Sequence, residues 1–140
     1  MEFEFEHVHI KCHDVNLVKQ FYETMFGAKP VDEGKVRNAR VIIMKLGDAY
    51  ITLSEPGERE VLEVPKEPRE DVWIRYGIGH FGVRVKNLED AVRELKAKGA
   101  EWIWEPREIR EGVKVAFIRG QEDDVIEIVE RRKGFEGLGQ

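Results

Sequence analysis

Two segments of the chain share one pattern of apolar and polar positions. Residues 7–31 read HVHIKCHDVNLVKQFYETMFGAKPV, and residues 80–103 read HFGVRVKNLEDAVRELKAKGAEWI. Each segment begins with alternating apolar residues, as in a strand that buries one face, and continues with apolar residues at helical spacing. The sequence therefore predicts an internal repeat in which a strand is followed by an amphipathic helix.

Both predicted helices have start and stop signals. Asp14 and Asn87 stand at N-cap positions, and Gly27 and Gly99 stand where the helices should end. The apolar residues follow i, i+3, i+4, i+7 spacing, with Val18, Phe21, Tyr22 and Met25 in the first helix and Leu88, Ala91, Val92 and Leu95 in the second. Each helix can therefore cover one face of a sheet.

The remainder of each repeat predicts strands. Residues 40–56 and 114–131 both read as β-hairpins with a glycine-containing turn. The order strand, helix, then two or three strands therefore occurs twice. At 140 residues the chain is short for two independent domains, so we expect one domain. Its first module covers about 3–56, its second about 77–132, and residues 57–76 form a proline-containing crossover.

Alternation along the strands predicts which side chains face the helices. The helix-facing set comprises Val8, Ile10, Cys12, Ile51, Leu53, Phe81, Val83, Val85, Ile126 and Ile128. The lone cysteine, Cys12, is thus predicted to be a core residue and not a nucleophile. The opposite, concave face receives His7, His9, Tyr50, Thr52, His80 and Glu127.

Four residues of the concave face occupy two pairs of repeat-equivalent positions: His7, Thr52, His80 and Glu127. Two imidazoles and one carboxylate make a ligand set that leaves coordination positions open, as catalysis at a metal requires. Singly, each is also typical of an ordinary polar strand residue. The set therefore predicts a metal site, with a metal-free polar cavity as the alternative.

Three stretches resemble the vicinal oxygen chelate superfamily. HVHIKCHDVNLVKQFYETMFG resembles its opening strand with a histidine, followed by a helix that ends in Phe-Tyr and Gly. GIGHFGVRVKNLEDAVRELKAKGAE resembles its later histidine segment, and DDVIEIVER resembles its closing strand with a glutamate ligand. The resemblance implies an α+β fold of two βαβββ modules that form a concave mixed sheet, with the helices on the outer face.

The resemblance also implies a ligand set and a class of chemistry. His7, His80 and Glu127 match the metal ligands of the superfamily, whose members capture substrates through neighbouring oxygens on a divalent ion. The ligand set permits Fe, Mn, Zn, Ni or Co. The fourth metal-ligand position of the superfamily is a glutamate or glutamine in glyoxalase I and the epimerases, and it is occupied by Thr52 in this chain. Two-base proton transfer is therefore not expected, and the set matches extradiol dioxygenases and fosfomycin transferases more closely.

These residues lead to two functional hypotheses. The first is a metal-dependent lyase, isomerase or dioxygenase acting on a small oxygen-rich metabolite. Glu127 and His9 would handle protons, and Tyr50 and Thr52 would line the substrate cavity. His9 is also typical of a cavity-wall or interface histidine. The second hypothesis is a metal-free small-molecule binding protein of the bleomycin-resistance type. A homodimer is expected from the resemblance.

Composition excludes some partners. Charged residues make up 36% of the chain and its net charge is −5, with basic residues interleaved among acidic ones. This balance argues against nucleic-acid binding. No apolar run reaches the ~18 residues that a membrane span needs, and the acidic start of the chain is unlike a signal peptide. We therefore expect a cytoplasmic protein, and the many charges suit a thermophilic source.

Overall fold

In the computed structural model the chain divides into two compact units, Met1–Glu67 and Pro68–Gln140. The structure describes residues 1–2, 4–57, 78–122 and 124–132. Apart from residue 57, the crossover predicted at 57–76 lies outside the described residues. The single-domain arrangement of the two modules therefore stays a prediction.

The first unit contains one helix and one four-stranded sheet. Its elements are β1 (His7–Lys11), α1 (Val15–Phe26), β2 (Lys29–Val36), β3 (Ala39–Leu46) and β4 (Ala49–Ser54). The strand order is β1-β4-β3-β2. β1 pairs with β4 in parallel, whereas the β4–β3 and β3–β2 pairs are antiparallel. The sheet is therefore mixed.

The second unit repeats this topology. Its elements are β5 (Phe81–Arg84), α2 (Leu88–Ala97), β6 (Trp102–Arg110), β7 (Val113–Arg119) and β8 (Val125–Arg131). The strand order is β5-β8-β7-β6, and again only the first and last strands of the unit pair in parallel. The two βαβββ modules and the α+β class predicted from the sequence are confirmed.

Local sequence explains where each helix begins and ends. The Oδ1 of Asp14 accepts from the backbone N–H groups of Asn16 and Leu17, which a helix cannot satisfy internally. Gly27 ends α1 in the left-handed conformation, with φ of 67°. In α2 the side chain of Asn87 accepts from Asp90 N. Both predicted N-caps are confirmed.

Each helix buries its apolar stripe against its own sheet. α1 packs on β3 and β4, and α2 packs on β6, β7 and β8. The buried helical side chains are Val15, Val18, Phe21 and Tyr22 in α1 and Leu88, Val92 and Leu95 in α2. Ile51 and Leu53 are at most 3% exposed, whereas Tyr50 and Thr52 are half-buried, in agreement with the predicted helix-facing side of β4. β8 is buried on both faces, since Val125, Ile126, Ile128 and Val129 are all at most 7% exposed. Cys12 is fully buried, as predicted.

Strand register places equivalent residues of the two units side by side. His9 pairs with Thr52 across β1 and β4, and Gly82 pairs with Glu127 across β5 and β8. Thr52 and Glu127 therefore occupy the same place in the repeated topology, as the sequence repeat predicts. Neither helix is long and apolar enough to cross a membrane.

The Asp14 cap yields a stability prediction. Asp14→Ala should lower the free energy of unfolding by about 1 kcal/mol, because two N–H groups at the start of α1 lose their acceptor. Asp14→Asn keeps a side-chain oxygen at the same place and should change the free energy of unfolding by much less. Urea denaturation of the three proteins measures the difference. Equal losses in the two variants would contradict the assignment of the cap.

Candidate metal-binding and catalytic site

The second unit brings two of the predicted ligands into contact. His80 directly precedes β5, and the Nε2 of its ring donates to the Oε2 of Glu127 on β8 over 2.9 Å. Gly82 stands opposite Glu127 in the register. Because Gly82 has no side chain, the backbone beside the histidine–carboxylate pair carries no side chain that could separate the two.

Glu127 lies among apolar side chains. The residues of β7 and β8 that alternate with the helix-facing ones form what we call the site face of the second unit: Val113, Val115, Phe117, Val125, Glu127 and Val129. Its five apolar members form one buried cluster, against which Trp104 packs. The side chain of Glu127 is only 15% exposed. A carboxylate in such surroundings costs stability, which favours a functional role.

The ring of His80 is held by a second contact. It meets the ring of Phe117 edge to face, with 5.1 Å between the centroids. Phe117 is also the register partner of Glu127. The hydrogen bond and the ring contact together orient the imidazole toward the carboxylate, and the His80 side chain remains 36% exposed. A ligand could therefore reach the pair.

In the first unit, His7 has its own carboxylate partner. Its Nδ1 donates to Glu6 Oε1 over 2.8 Å. With the proton on Nδ1, the lone pair of Nε2 is available to a metal, and a carboxylate behind a ligating histidine is the usual arrangement in metal sites. The side chain of His7 is 43% exposed. Tyr50 lies beside His7 across the β1–β4 register.

His9 is anchored to a buried hydroxyl. Its Nε2 and the Oγ of Ser54 are hydrogen-bonded over 2.6 Å, and Ser54 is 2% exposed. Thr52, the register partner of His9, is half-buried. Tyr50 is also half-buried, with Lys45 Nζ 5.9 Å from the centroid of its ring. Their proposed roles in a substrate cavity stay predictions.

The spacing of the His80 and Glu127 donor atoms in the second unit fits two adjacent ligands of a divalent metal. Two donors at adjacent positions of an octahedral ion, with bonds of about 2.1 Å, lie about 3 Å apart. The 2.9 Å between His80 Nε2 and Glu127 Oε2 matches that spacing. His7 belongs to the other unit. Within the described residues, no group of three or more His, Cys, Asp or Glu side chains is close enough to hold a metal.

Sequence reasoning missed three partners of these side chains. Glu6, Ser54 and Phe117 contact His7, His9 and His80 respectively. The apolar run around Phe117 was the available signal, because a strand buried on both faces lacks alternation. Alternation places Ser54 on the same face as His9, but both of the other contacts depend on side-chain rotamers, which the sequence does not indicate.

Fold, repeat and donor set together define one class of protein. The sequence profile of the Glyoxalase/Bleomycin resistance protein/Dioxygenase superfamily matches residues 6–117. The chain belongs to this superfamily. The predicted resemblance to vicinal oxygen chelate proteins is thereby confirmed.

Solved structures agree with this assignment at the level of the fold. A glyoxalase family protein from Bacillus cereus is 18% identical with a TM-score of 0.76, over 94% of this chain and 95% of that chain. A variant of the fosfomycin resistance protein FosX from Listeria monocytogenes is 14% identical with a TM-score of 0.67, over 96% of each chain. It was solved with Mn(II) and 1S,2S-dihydroxypropylphosphonic acid.

A relative by sequence comes from Brassica oleracea var. gemmifera and bears the name "Putative lactoylglutathione lyase". It is 26% identical over 129 residues, which cover 91% of this chain. The same match covers 44% of the relative. The chain therefore spans less than half the length of this relative.

The apolar surroundings of Glu127 yield a prediction with a matched control on the same strand. Glu127→Met should leave the free energy of unfolding unchanged or raise it by about 1 kcal/mol, because methionine packs on the apolar cluster and the partly exposed His80 can hydrogen-bond to water instead. Glu130→Met should lower it by about 1–3 kcal/mol, because Glu130 Oε2 accepts from Leu88 N at the start of α2.

Urea denaturation in the presence of a chelator measures both glutamate variants without any contribution from a metal. A loss in Glu127→Met as large as that in Glu130→Met would show that Glu127 is a structural residue. The expected difference between two glutamates three positions apart separates a functional carboxylate from one that caps a helix.

Proposed function

We propose that the protein is a metal-dependent enzyme of glyoxalase or dioxygenase type that acts on a small, oxygen-rich metabolite. In this proposal His7, His80 and Glu127 hold one divalent ion, which is Fe, Mn, Zn, Ni or Co. The observation that carries the proposal is the 2.9 Å separation of His80 Nε2 and Glu127 Oε2, on a face whose other members in β7 and β8 are apolar.

Two features support the ligand roles. The His80 and Glu127 donors have the spacing of adjacent ligands on one ion. His7, at the equivalent place in the other repeat, has its Nδ1 engaged by Glu6 and presents Nε2. The Mn(II) in the structurally similar fosfomycin resistance protein supports a divalent ion in this fold.

The proposed roles of the other residues follow from their chemistry. A divalent ion supplies Lewis acidity toward neighbouring substrate oxygens. Glu127 and His9 are the proton acceptors of the proposal, and the hydrogen bond to Ser54 holds the ring of His9 in one orientation. Thr52 can donate a hydrogen bond to the substrate but cannot act as a carboxylate base. Tyr50 supplies a wall of the cavity.

A metal-free small-molecule binding protein is the second candidate. The direct hydrogen bond between His80 and Glu127 favours it, because the two side chains already satisfy each other. In that case the same face would bind a ligand by ring contacts and hydrogen bonds. The homodimer, the cytoplasmic location and the thermophilic source stay predictions under both candidates.

Metal content per chain tests the proposal. We expect near-stoichiometric metal in the wild-type protein and loss of most of it in His7→Ala, His80→Ala and Glu127→Ala, because each variant removes one of three ligands. His13→Ala is the matched control, since it removes a histidine outside the proposed set and should retain the metal. His9→Ala should retain it as well. Elemental analysis of untagged protein gives the measurement and identifies the ion.

Two outcomes would contradict the metal proposal. Wild-type protein that stays empty after incubation with each candidate ion would favour the metal-free binding protein. Full metal content in any of the three ligand variants would remove that residue from the set. Circular dichroism of each variant shows whether a loss of metal comes from unfolding instead.

A further inference from the structure

Strand β6 changes the side to which its residues point. Trp102 pairs with Ile118, whereas Trp104 pairs with Phe117, so the register shifts between the two tryptophans. In a regular strand, residues two apart share a face. Here Lys96 of α2 lies 5.7 Å from the ring of Trp102, on the helix side, while Trp104 meets Phe117 of the site face with centroids 5.2 Å apart.

A second irregularity brings a cation to the same place. The register shifts again between Trp104 and Arg107, with Pro106 between them. Residues three apart in a regular strand point to opposite faces, yet the Arg107 guanidinium carbon lies 4.1 Å from the centroid of the Trp104 ring. Bulges of this kind redirect side chains and are frequent beside functional sites. Proline in a strand is typical of such positions.

The result is a continuous row of contacts across the second unit. Arg107 stacks on Trp104, Trp104 meets Phe117, and Phe117 meets the ring of His80. Trp104, Phe117 and Glu127 are register partners on three adjacent strands, so the backbone distance from first to last is about 10 Å. Phe117, in the middle of this row, is only 6% exposed, whereas Arg107 at its end is exposed.

The charge of Arg107 is available to a ligand. It forms no ion pair with a carboxylate of the described residues. The acidic residues nearest to it on β6 are engaged elsewhere: Glu105 binds Lys96, and Glu108 accepts from Gly112 N. A guanidinium stacked on an indole keeps its in-plane N–H groups for a two-oxygen anion.

We propose that Arg107 and Trp104 form a binding subsite for the anionic end of a small organic acid with a planar or apolar body. The carboxylate or phosphonate group binds the edge of the Arg107 guanidinium, and the body of the ligand lies against the half-buried ring of Trp104. The subsite thus names the substrate class of the proposed enzyme, and in that sense it rests on the proposed function.

Calorimetric titration of the full chain with benzoate and with phenylphosphonate tests the subsite. Both anions should bind the wild type saturably, and Arg107→Gln should weaken binding about tenfold or more, as expected for loss of a charge-assisted hydrogen bond. Arg107→Lys should restore only part of the affinity, because lysine lacks the planar pair of donors. Comparison of the two anions shows which acid group the subsite prefers.

Two controls separate a specific contact from a general effect of charge. Lys114→Gln removes one positive charge from the neighbouring strand β7, at a position that alternates with Val115 and Phe117 of the site face, and should leave both dissociation constants unchanged. Benzyl alcohol, which has the same ring without a charge, should bind more weakly than either anion. Trp104→Leu should weaken all three probes, because each of them uses the ring surface.

The proposal is overturned if neither anion binds the wild type saturably at millimolar concentration, if Arg107→Gln binds as well as the wild type, or if Lys114→Gln is equally impaired. Titrations run with Mn(II) and with a chelator distinguish a failure of the Arg107 subsite from a failure of the proposed metal-dependent function. A dependence on Arg107 in both preparations, in a protein that retains no metal, would sustain the subsite and refute the metal proposal. Retained metal, together with anion binding that is equal in the wild type and Arg107→Gln, would refute the subsite and sustain the metal proposal.

Discussion

The parallel pairing of the first and last strands in each unit is the constraint on which the candidate site depends. Ile126 and Ile128 are fully buried, and each contributes about 1.5–3 kcal/mol through that burial. A slip of one residue along β8 would turn both isoleucines to the site face and bury Glu127 against α2. The hydrophobic core therefore fixes the side on which the carboxylate emerges, next to His80, at no cost to the packing of the helix.

The two repeats use the same register for different chemistry. Where the first unit has His9 opposite Thr52, the second has Gly82 opposite Glu127. The first unit therefore has an imidazole hydrogen-bonded to the Ser54 hydroxyl, while the second has a carboxylate hydrogen-bonded to His80 in a hydrophobic surround. The same place in the repeated topology therefore carries a hydroxyl, that of Thr52, in the first unit and a carboxylate, that of Glu127, in the second.

Sequence was sufficient for the features that depend on local signals. Asp14 and Asn87 fixed the helix starts because N-capping involves residues two or three positions apart. Alternation predicted the buried side of β4 at Ile51 and Leu53 correctly, whereas β8 is buried on both faces. Alternation fails on β6, where two register shifts turn Trp104 and Arg107 to one face, because a bulge is set by pairing with β7 and not by the strand itself. The side-chain contacts of His7 and His9 could not be predicted either, because they depend on side-chain rotamers.

Thr52 narrows the chemistry that the proposed site can perform. Proton transfer between adjacent carbons by two carboxylates needs a base at both repeat-equivalent positions. Threonine cannot be one of them, because its hydroxyl is too weak an acid to lose its proton and act as a base. A carboxylate that binds a metal also has less of its basicity left for the substrate. His9, held by Ser54 beside Thr52, is then the better placed proton acceptor of the first unit. The residues favour one-base chemistry or ligand addition over a two-base isomerisation.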